Sequence, residues 1–187
     1  MPLGQHLYTV LEEYLNEQDH NYNSLEIGVY NGDGTAFIGK SFPKKTVYAI
    51  DPFVEDGNTD WMTRVGKNNP LLDQKNQFEN HNRDLTNVVL FEETSENFSN
   101  RLTEKMIEEM NVGGVIIDGD HSYEAVTVDY ELAMRIINKK KNGIIIFDDI
   151  NVPGVEKGLN VFLKKYSHSI TTHQYRNDVN MLIAKIN

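Results

Sequence analysis

The sequence contains no cysteine, which rules out disulfides, thiolate zinc sites and a cysteine nucleophile. It has no apolar run approaching the length of a membrane-spanning helix. Residues 1–20 show no basic start followed by an apolar stretch, so no secretory signal is expected and a cytoplasmic location is the default. Neither a Gly-x-Ser-x-Gly elbow nor a Gly-Lys-Ser/Thr phosphate loop is present, so hydrolase and nucleoside-triphosphatase readings lack their motifs. Positive charge is scarce: 18 Lys and Arg stand against 28 Asp and Glu, a formal net charge of −10. Such a field repels polyanions and offers no broad footprint for nucleic acid. The densest basic run, Lys139-Lys140-Lys141, precedes Asn142-Gly143 and reads as cations complementing a helix end.

What is present is ordinary for a globular chain. With 187 residues, 39% hydrophobic and 25% charged, one domain spanning 1–187 is expected. Helical spacing over Gln5–Asn16 is followed by a strand over Ser24–Val29, a short helix over Gly34–Lys40 and a strand over Thr46–Ile50. A third strand is expected over Val88–Phe91, then a helix capped by Ser95 and running to Met110. The apolar, β-branched runs Gly114–Asp118 and Gly143–Asp148 read as strands buried on both faces. Helices over Tyr123–Lys140 and Gly154–Tyr166 alternate with them, and Ser169–Tyr175 and Val179–Ile186 form a closing strand pair joined by Arg176-Asn177-Asp178. This order predicts an α/β fold: a doubly wound, mostly parallel, Rossmann-like sheet with a C-terminal antiparallel hairpin. Residues 52–85, rich in Asn, Asp and Gln and carrying the single tryptophan, Trp61, are the substrate-side insertion. Some helix is expected within Leu71–His81 and a mobile section over Asp56–Pro70, with Trp61 and Met62 as an anchor for the insertion or a hydrophobic lid.

Chemistry concentrates at two places. The first is Leu25-Glu26-Ile27-Gly28-Val29-Tyr30-Asn31-Gly32-Asp33-Gly34-Thr35, followed by Asp51 at the end of the next strand. Glycine accepts positive φ and lets a ligand lie against bare backbone. An acid closing the second strand stands where a ribose offers its hydroxyls. Together they mark an adenosine-type cofactor pocket. Gly28, Gly32 and Gly34 read G-x-x-x-G-x-G and do not fit the dinucleotide fingerprint. Glu26 sets a carboxylate beside the turn, which a pyrophosphate, preferring helix-terminus amides, would not favour.

The second is Ile117-Asp118-Gly119-Asp120-His121-Ser122-Tyr123-Glu124, with Ile146-Phe147-Asp148-Asp149 after it. Each acid group stands where a buried strand ends, at the edge of an open sheet where ligands bind. On neighbouring strands roughly 5 Å apart, Asp118 and the Asp148-Asp149 pair could face one point, and their oxygens suit a hard cation such as Mg2+. Strand-end acids also cap helices, and Asp120 is a candidate cap for the helix near Tyr123. His6, His20, His81, His168 and His173 have no such context and read as surface or packing residues.

The first segment resembles the opening motif of class I S-adenosylmethionine-dependent methyltransferases. The second resembles the small-molecule O-methyltransferases of the macrocin and caffeoyl-coenzyme A type, and more closely the short bacterial and phage methyltransferases sharing Asp-Gly-Asp-His-Ser-Tyr. The resemblance implies a seven-stranded sheet and S-adenosylmethionine held by Glu26, Gly28, Gly32, Asp51, Thr94, Ser95 and Asp118. It also implies catalysis by His121, the general base of some relatives, together with Asp118, and a divalent cation on Asp118, Asp148 and Asp149. Lys-Lys-Lys-Asn-Gly stands before the fifth strand where a Pro-Gly-Gly turn is common, a departure that touches only turn geometry. The expected activity is methyl transfer to a hydroxyl, rather than a nitrogen, of a small polar acceptor. Nucleic acid and membrane are not expected partners, and a homodimer is compatible with the fold class. Two other readings are a nicotinamide-dependent oxidoreductase, opposed by the glycine spacing, and a non-catalytic S-adenosylmethionine-binding module, opposed by the retained acid clusters.

Overall fold

The computed structural model describes residues 5–17, 21–53, 71–137, 142–174 and 180–187. In chain order the elements are α1 (Gln5–Glu17), β1 (Asn23–Ile27), α2 (Asp33–Ser41), β2 (Val47–Ile50), α3 (Leu71–Asn82), β3 (Val88–Phe91), α4 (Ser95–Arg101) and α5 (Glu104–Met110). β4 (Val112–Ile117), α6 (Tyr123–Ile137), β5 (Ile144–Phe147), α7 (Pro153–Tyr166), β6 (Ile170–Gln174) and β7 (Leu182–Ile186) follow. The strands form one seven-stranded sheet in the order β3-β2-β1-β4-β5-β7-β6. β1 to β5 pair in parallel, whereas β7 is antiparallel to both β5 and β6. This is the expected doubly wound architecture with its closing hairpin, and the chain direction switches between β1 and β4, where open sheets bind ligands. Among the described residues, no helix is long and apolar enough to cross a membrane.

Every residue of β4 and β5 is buried. Because side chains alternate across a strand, Val115, Ile117, Ile145 and Phe147 pack with α6 and α7, while Ile116, Ile144 and Ile146 pack with α1 and α2. Each such aliphatic side chain contributes about 1.5–3 kcal/mol by burial, so both helix layers are fastened to the middle of the sheet.

The expected helix from Ser95 to Met110 is two helices. Its cap is Thr94, whose backbone is extended (φ −70, ψ 153) and whose side chain accepts from the Asn97 amide. The chain leaves helical geometry at Leu102 (φ −66, ψ 126), and Thr103 caps α5 by accepting from the Met106 amide. Tertiary contacts explain the break: Leu102 is buried, and Arg135 of α6 donates to the carbonyls of Ser99 and Leu102, satisfying groups that a continuous helix would use internally. α3 fulfils the helix expected within Leu71–His81. The readings made for Asp56–Pro70, Trp61 and Met62, for Lys139–Lys141 and for Arg176–Asp178 lie outside the described residues.

Candidate active site

The sheet register places the site. Phe91, Ile50, Ile27, Ile117 and Phe147 are successive partners across β3, β2, β1, β4 and β5. One residue beyond that row stand Asp51, Gly28, Asp118 and Asp148, side by side at the carboxyl edge. Their amides continue the ladder: Gly28 donates to Ile50 (3.0 Å), Asp51 to Phe91 (3.2 Å), Asp118 to Ile27 (2.9 Å) and Asp148 to Ile117 (3.1 Å). With strands ~4.8 Å apart, Asp51 stands ~10 Å from Asp118 and on the other side of Gly28.

At the centre, Gly28 takes φ +82, and a Cβ there would meet the Asp118 carbonyl oxygen at 2.1 Å. Gly32 takes φ +75 at the start of α2. Between them, Asp51 braces the turn. Its Oδ2 accepts from the amides of Val29 (2.9 Å) and Tyr30 (3.3 Å), and its Oδ1 from Phe53 (2.7 Å). Burial raises the carboxyl above its usual range, opposed by these three amides. A carboxylate offers about four acceptor positions, so Asp51 keeps capacity for a ligand hydroxyl.

Glu26 is almost fully buried, 3% exposed. Its oxygens accept from Tyr8 of α1 and Thr35 of α2, each at 2.6 Å. Burial pushes the carboxyl up to about 7, against the two hydroxyls and with Asp118 and Asp33. Glu26 therefore lies behind the glycine turn, joined to two helices.

On the opposite side, His121 Nε2 stands 3.5 Å from Asp149 Oδ2 and 3.9 Å from Asp118 Oδ1. This nitrogen is buried and has no hydrogen-bond partner among the described residues. The Asp118 carboxylate raises the His121 pKa most; burial works against it, and Asp149 and Asp148 add to the rise. Burial raises Asp118, with His121 opposing, and raises Asp148 to about 7, helped by the charge of Asp118. Donor atoms of Asp118, His121 and Asp149 lie within 4.8 Å of one another. Asp148 is not in that group, so the gathered donor set has an imidazole where the resemblance implies a third carboxylate. Two oxygens and a nitrogen at this spacing fit a divalent cation.

Local structure holds His121 in place. Asp120 Oδ1 accepts from the Ser122 amide, and the Ser122 hydroxyl accepts from Ala125, so Ser122 rather than Asp120 caps α6. A Cβ on Gly154, at the start of α7, would meet the His121 carbonyl oxygen at 2.1 Å, so the β4 exit loop lies directly against that helix. Thr94 spends its hydroxyl as the cap of α4, and Ser95 opens that helix on the loop leaving β3.

Three contributors were not legible. The C-terminal end of α3 clamps the glycine turn: Phe78 lies 2.3 Å from where a Gly32 Cβ would stand, Asn82 donates to the Gly32 carbonyl (3.1 Å), and His81 Nδ1 contacts the Asn31 carbonyl (3.0 Å). His81 is thus an exposed residue that packs on the turn, in keeping with the surface or packing reading. Tyr30, Phe53 and Asp149 form a second signal, each non-glycine with positive φ (50, 48 and 48) and each just past β1, β2 or β5. Strain of this kind persists where surroundings over-determine it, and it clusters at ligand sites.

Known proteins share this fold. A family model described as Methyltransferase domain matches residues 25–150. No curated protein matches the sequence significantly. A Staphylococcus aureus protein bearing the name caffeoyl-CoA O-methyltransferase superposes with a TM-score of 0.66 at 15% identity, covering 100% of this chain and 85% of its own. The calicheamicin methyltransferase CalS11 gives 0.64 at 15% identity, covering 97% and 77%. TomG of Streptomyces achromogenes, an O-methyltransferase of tomaymycin synthesis solved with S-adenosylmethionine, gives 0.63 at 10% identity, covering 100% and 81%. The family match spans the glycine turn, Asp51 and both acid clusters, well over half of the chain, and the fold agrees with it: the chain belongs to the methyltransferase domain family and is a class I methyltransferase.

Proposed function

We propose that this protein transfers the methyl group of S-adenosylmethionine to a hydroxyl oxygen, rather than a nitrogen, of a small polar molecule, and that residues 1–187 act as one catalytic domain. The observation that carries the reading is the aligned edge row, with a glycine turn and ribose-side acid at one end and an imidazole nitrogen between two carboxylates at the other. The names of the solved neighbours support a hydroxyl acceptor, and the net charge of −10 disfavours a polyanionic one.

S-adenosylmethionine supplies a methyl group already activated on a sulfonium. The protein's part is to bind, align and deprotonate. Gly28 and Gly32 give a backbone surface without side chains, Asp51 accepts the ribose hydroxyls, and Thr94 and Ser95 border the adenine. Glu26 places negative charge behind the turn, on the side of the methionine ammonium. His121, whose Nε2 faces Asp149 at 3.5 Å and Asp118 at 3.9 Å, takes the acceptor's hydroxyl proton, and the two carboxylates favour its charged form. A divalent cation, if bound, would be held by Asp118 and Asp149, with His121 or Asp148 as the third group, and would lower the pKa of a coordinated hydroxyl.

Calorimetric titration with S-adenosylhomocysteine, with NAD as control and with or without Mg2+, tests the reading. Micromolar binding of the adenosyl ligand without NAD binding is expected. Affinity should weaken as pH falls below about 7, because the ligand's ammonium favours ionised Glu26 and a proton must then leave on binding. No binding, or a preference for NAD, would overturn the assignment. The clamp gives a second check. Asn82→Ala removes the donor to the Gly32 and Phe78 carbonyls, and a stability loss of about 1–3 kcal/mol is expected with several-fold weaker binding of S-adenosylhomocysteine. Unchanged affinity would show that the turn keeps its shape without α3.

A further inference from the structure

A carboxylate lies inside the layer between the sheet and its first two helices. Side chains alternate across a strand. Leu25 and Ile27 of β1 belong to the core on the α6 and α7 side, so Glu26 projects to the opposite face, which α1 and α2 cover. There Tyr8 Oη donates to Glu26 Oε1 and Thr35 Oγ1 donates to Oε2, each at 2.6 Å. All three residues are buried, so neither hydrogen bond competes with bulk water.

A buried carboxylate is costly unless it is both hydrogen-bonded and paired with opposite charge. Glu26 has the first and lacks the second. Both donors are neutral hydroxyls, and no Lys, Arg or His among the described residues forms an ion pair with it. The charged groups in its field, Asp118 and Asp33, are acids too. A lysine or arginine as donor would neutralise Glu26 from within. Two hydroxyls instead fix both oxygens and leave the negative charge to be met by a cation from outside. A carboxylate offers about four acceptor positions, so capacity remains after Tyr8 and Thr35 are served.

We propose that Tyr8 of α1 and Thr35 of α2 are positioning residues for the amino-acid half of the cofactor, holding the Glu26 carboxylate in place for the ligand's ammonium group without neutralising it. This rests on the reading above that S-adenosylmethionine is the cofactor and that Glu26 lies on its ammonium side. It makes α1, which precedes the matched family segment at residues 25–150, part of the binding apparatus.

The test is calorimetric titration of S-adenosylhomocysteine and of methylthioadenosine, which keeps the nucleoside and sulfur but lacks the ammonium and carboxyl groups. The proteins are the unaltered chain, Tyr8→Phe, Thr35→Val, Glu26→Gln and Tyr8→Phe combined with Glu26→Gln. Each of the first two substitutions removes a hydroxyl and nearly keeps the side-chain shape. Each is expected to weaken S-adenosylhomocysteine about tenfold, the scale of one hydrogen bond to a charged group, and to leave methylthioadenosine binding unchanged. Added to Glu26→Gln, Tyr8→Phe should cost nothing further, because both act on one charge. The pH profile is a further readout. Tyr8 and Thr35 favour the ionised form of Glu26 against burial, Asp118 and Asp33. Removing either donor should therefore raise the pH below which affinity for S-adenosylhomocysteine falls.

Unaltered affinity for S-adenosylhomocysteine in either single variant removes that residue from the role. Equal losses for the two ligands, or a Tyr8→Phe loss undiminished by Glu26→Gln, would reveal a general distortion and overturn the proposal. The two hydroxyls are tested separately, so a variant that fails to fold leaves the other to decide. If the unaltered protein binds no S-adenosylhomocysteine, the cofactor reading itself fails. If it binds and Glu26→Gln binds equally well, only the present inference fails.

Discussion

Alanine at Asp51 is expected to abolish measurable binding of S-adenosylhomocysteine. The carboxylate has two tasks. In the proposed function it accepts the ribose hydroxyls, and in the structure it holds the amides of Val29, Tyr30 and Phe53 at 2.9, 3.3 and 2.7 Å. Tyr30 and Phe53 are both in the left-handed region, a conformation that costs each of them about 1–3 kcal/mol and persists only under constraint. Removing the side chain leaves three partly buried donors without an acceptor, at about 1–3 kcal/mol for each one fully desolvated, and frees two strained residues to relax. The turn that cradles the ligand then loses the shape imposed on it. Since about 1.4 kcal/mol is tenfold in affinity, losing the ribose contacts and the turn geometry together should exceed a hundredfold. Asp51→Asn is the informative companion: its single amide oxygen can keep one or two donors but not all three, so intermediate affinity is expected. Binding of Asp51→Ala at the strength of the unaltered protein would remove Asp51 from the cofactor site.

Much of this site was legible because it depends on local chemistry repeated at strand ends. Two apolar runs could only be strands buried on both faces, and each ended in an acid. A parallel sheet brings such ends to one edge, so Gly28, Asp51, Asp118 and Asp148 had to be neighbours once the strand order was right. What the sequence hid is tertiary. Leu102 breaks a helix because its own burial and the reach of Arg135 from α6 outweigh local propensity. Asn82 and His81 matter because α3 packs on a turn fifty residues earlier, and nothing in their own segment points there. Asp148 and Asp149 are adjacent in sequence, and nothing in that pair shows that Asp149 is the one to reach within 3.5 Å of His121.

Replacing His121 by alanine should leave S-adenosylhomocysteine binding intact and slow methyl transfer by about 10²–10⁴-fold, the usual contribution of a positioned general base. The imidazole stands among acids rather than on the cofactor side, so its removal opens space beside Asp118 and Asp149 without touching the glycine turn. Its Nε2 is buried and faces Asp149 at 3.5 Å and Asp118 at 3.9 Å without hydrogen-bond geometry to either. In its neutral form the ring can accept the proton of an acceptor hydroxyl. The neighbouring carboxylates set the pH dependence. They raise the His121 pKa above its ordinary value, which makes the neutral ring a stronger base but keeps it protonated, and inert as a base, to higher pH. The rate should therefore rise with pH through a midpoint above 6.5, the ordinary value for histidine. Removing the charge of the nearest carboxylate in Asp149→Asn should move that midpoint down. A rate for His121→Ala equal to that of the unaltered protein would exclude His121 as the base. A midpoint that does not respond to Asp149→Asn would mean that the titrating group lies elsewhere on the edge. The two results are independent, because the first reads the presence of the imidazole and the second reads the field in which it sits.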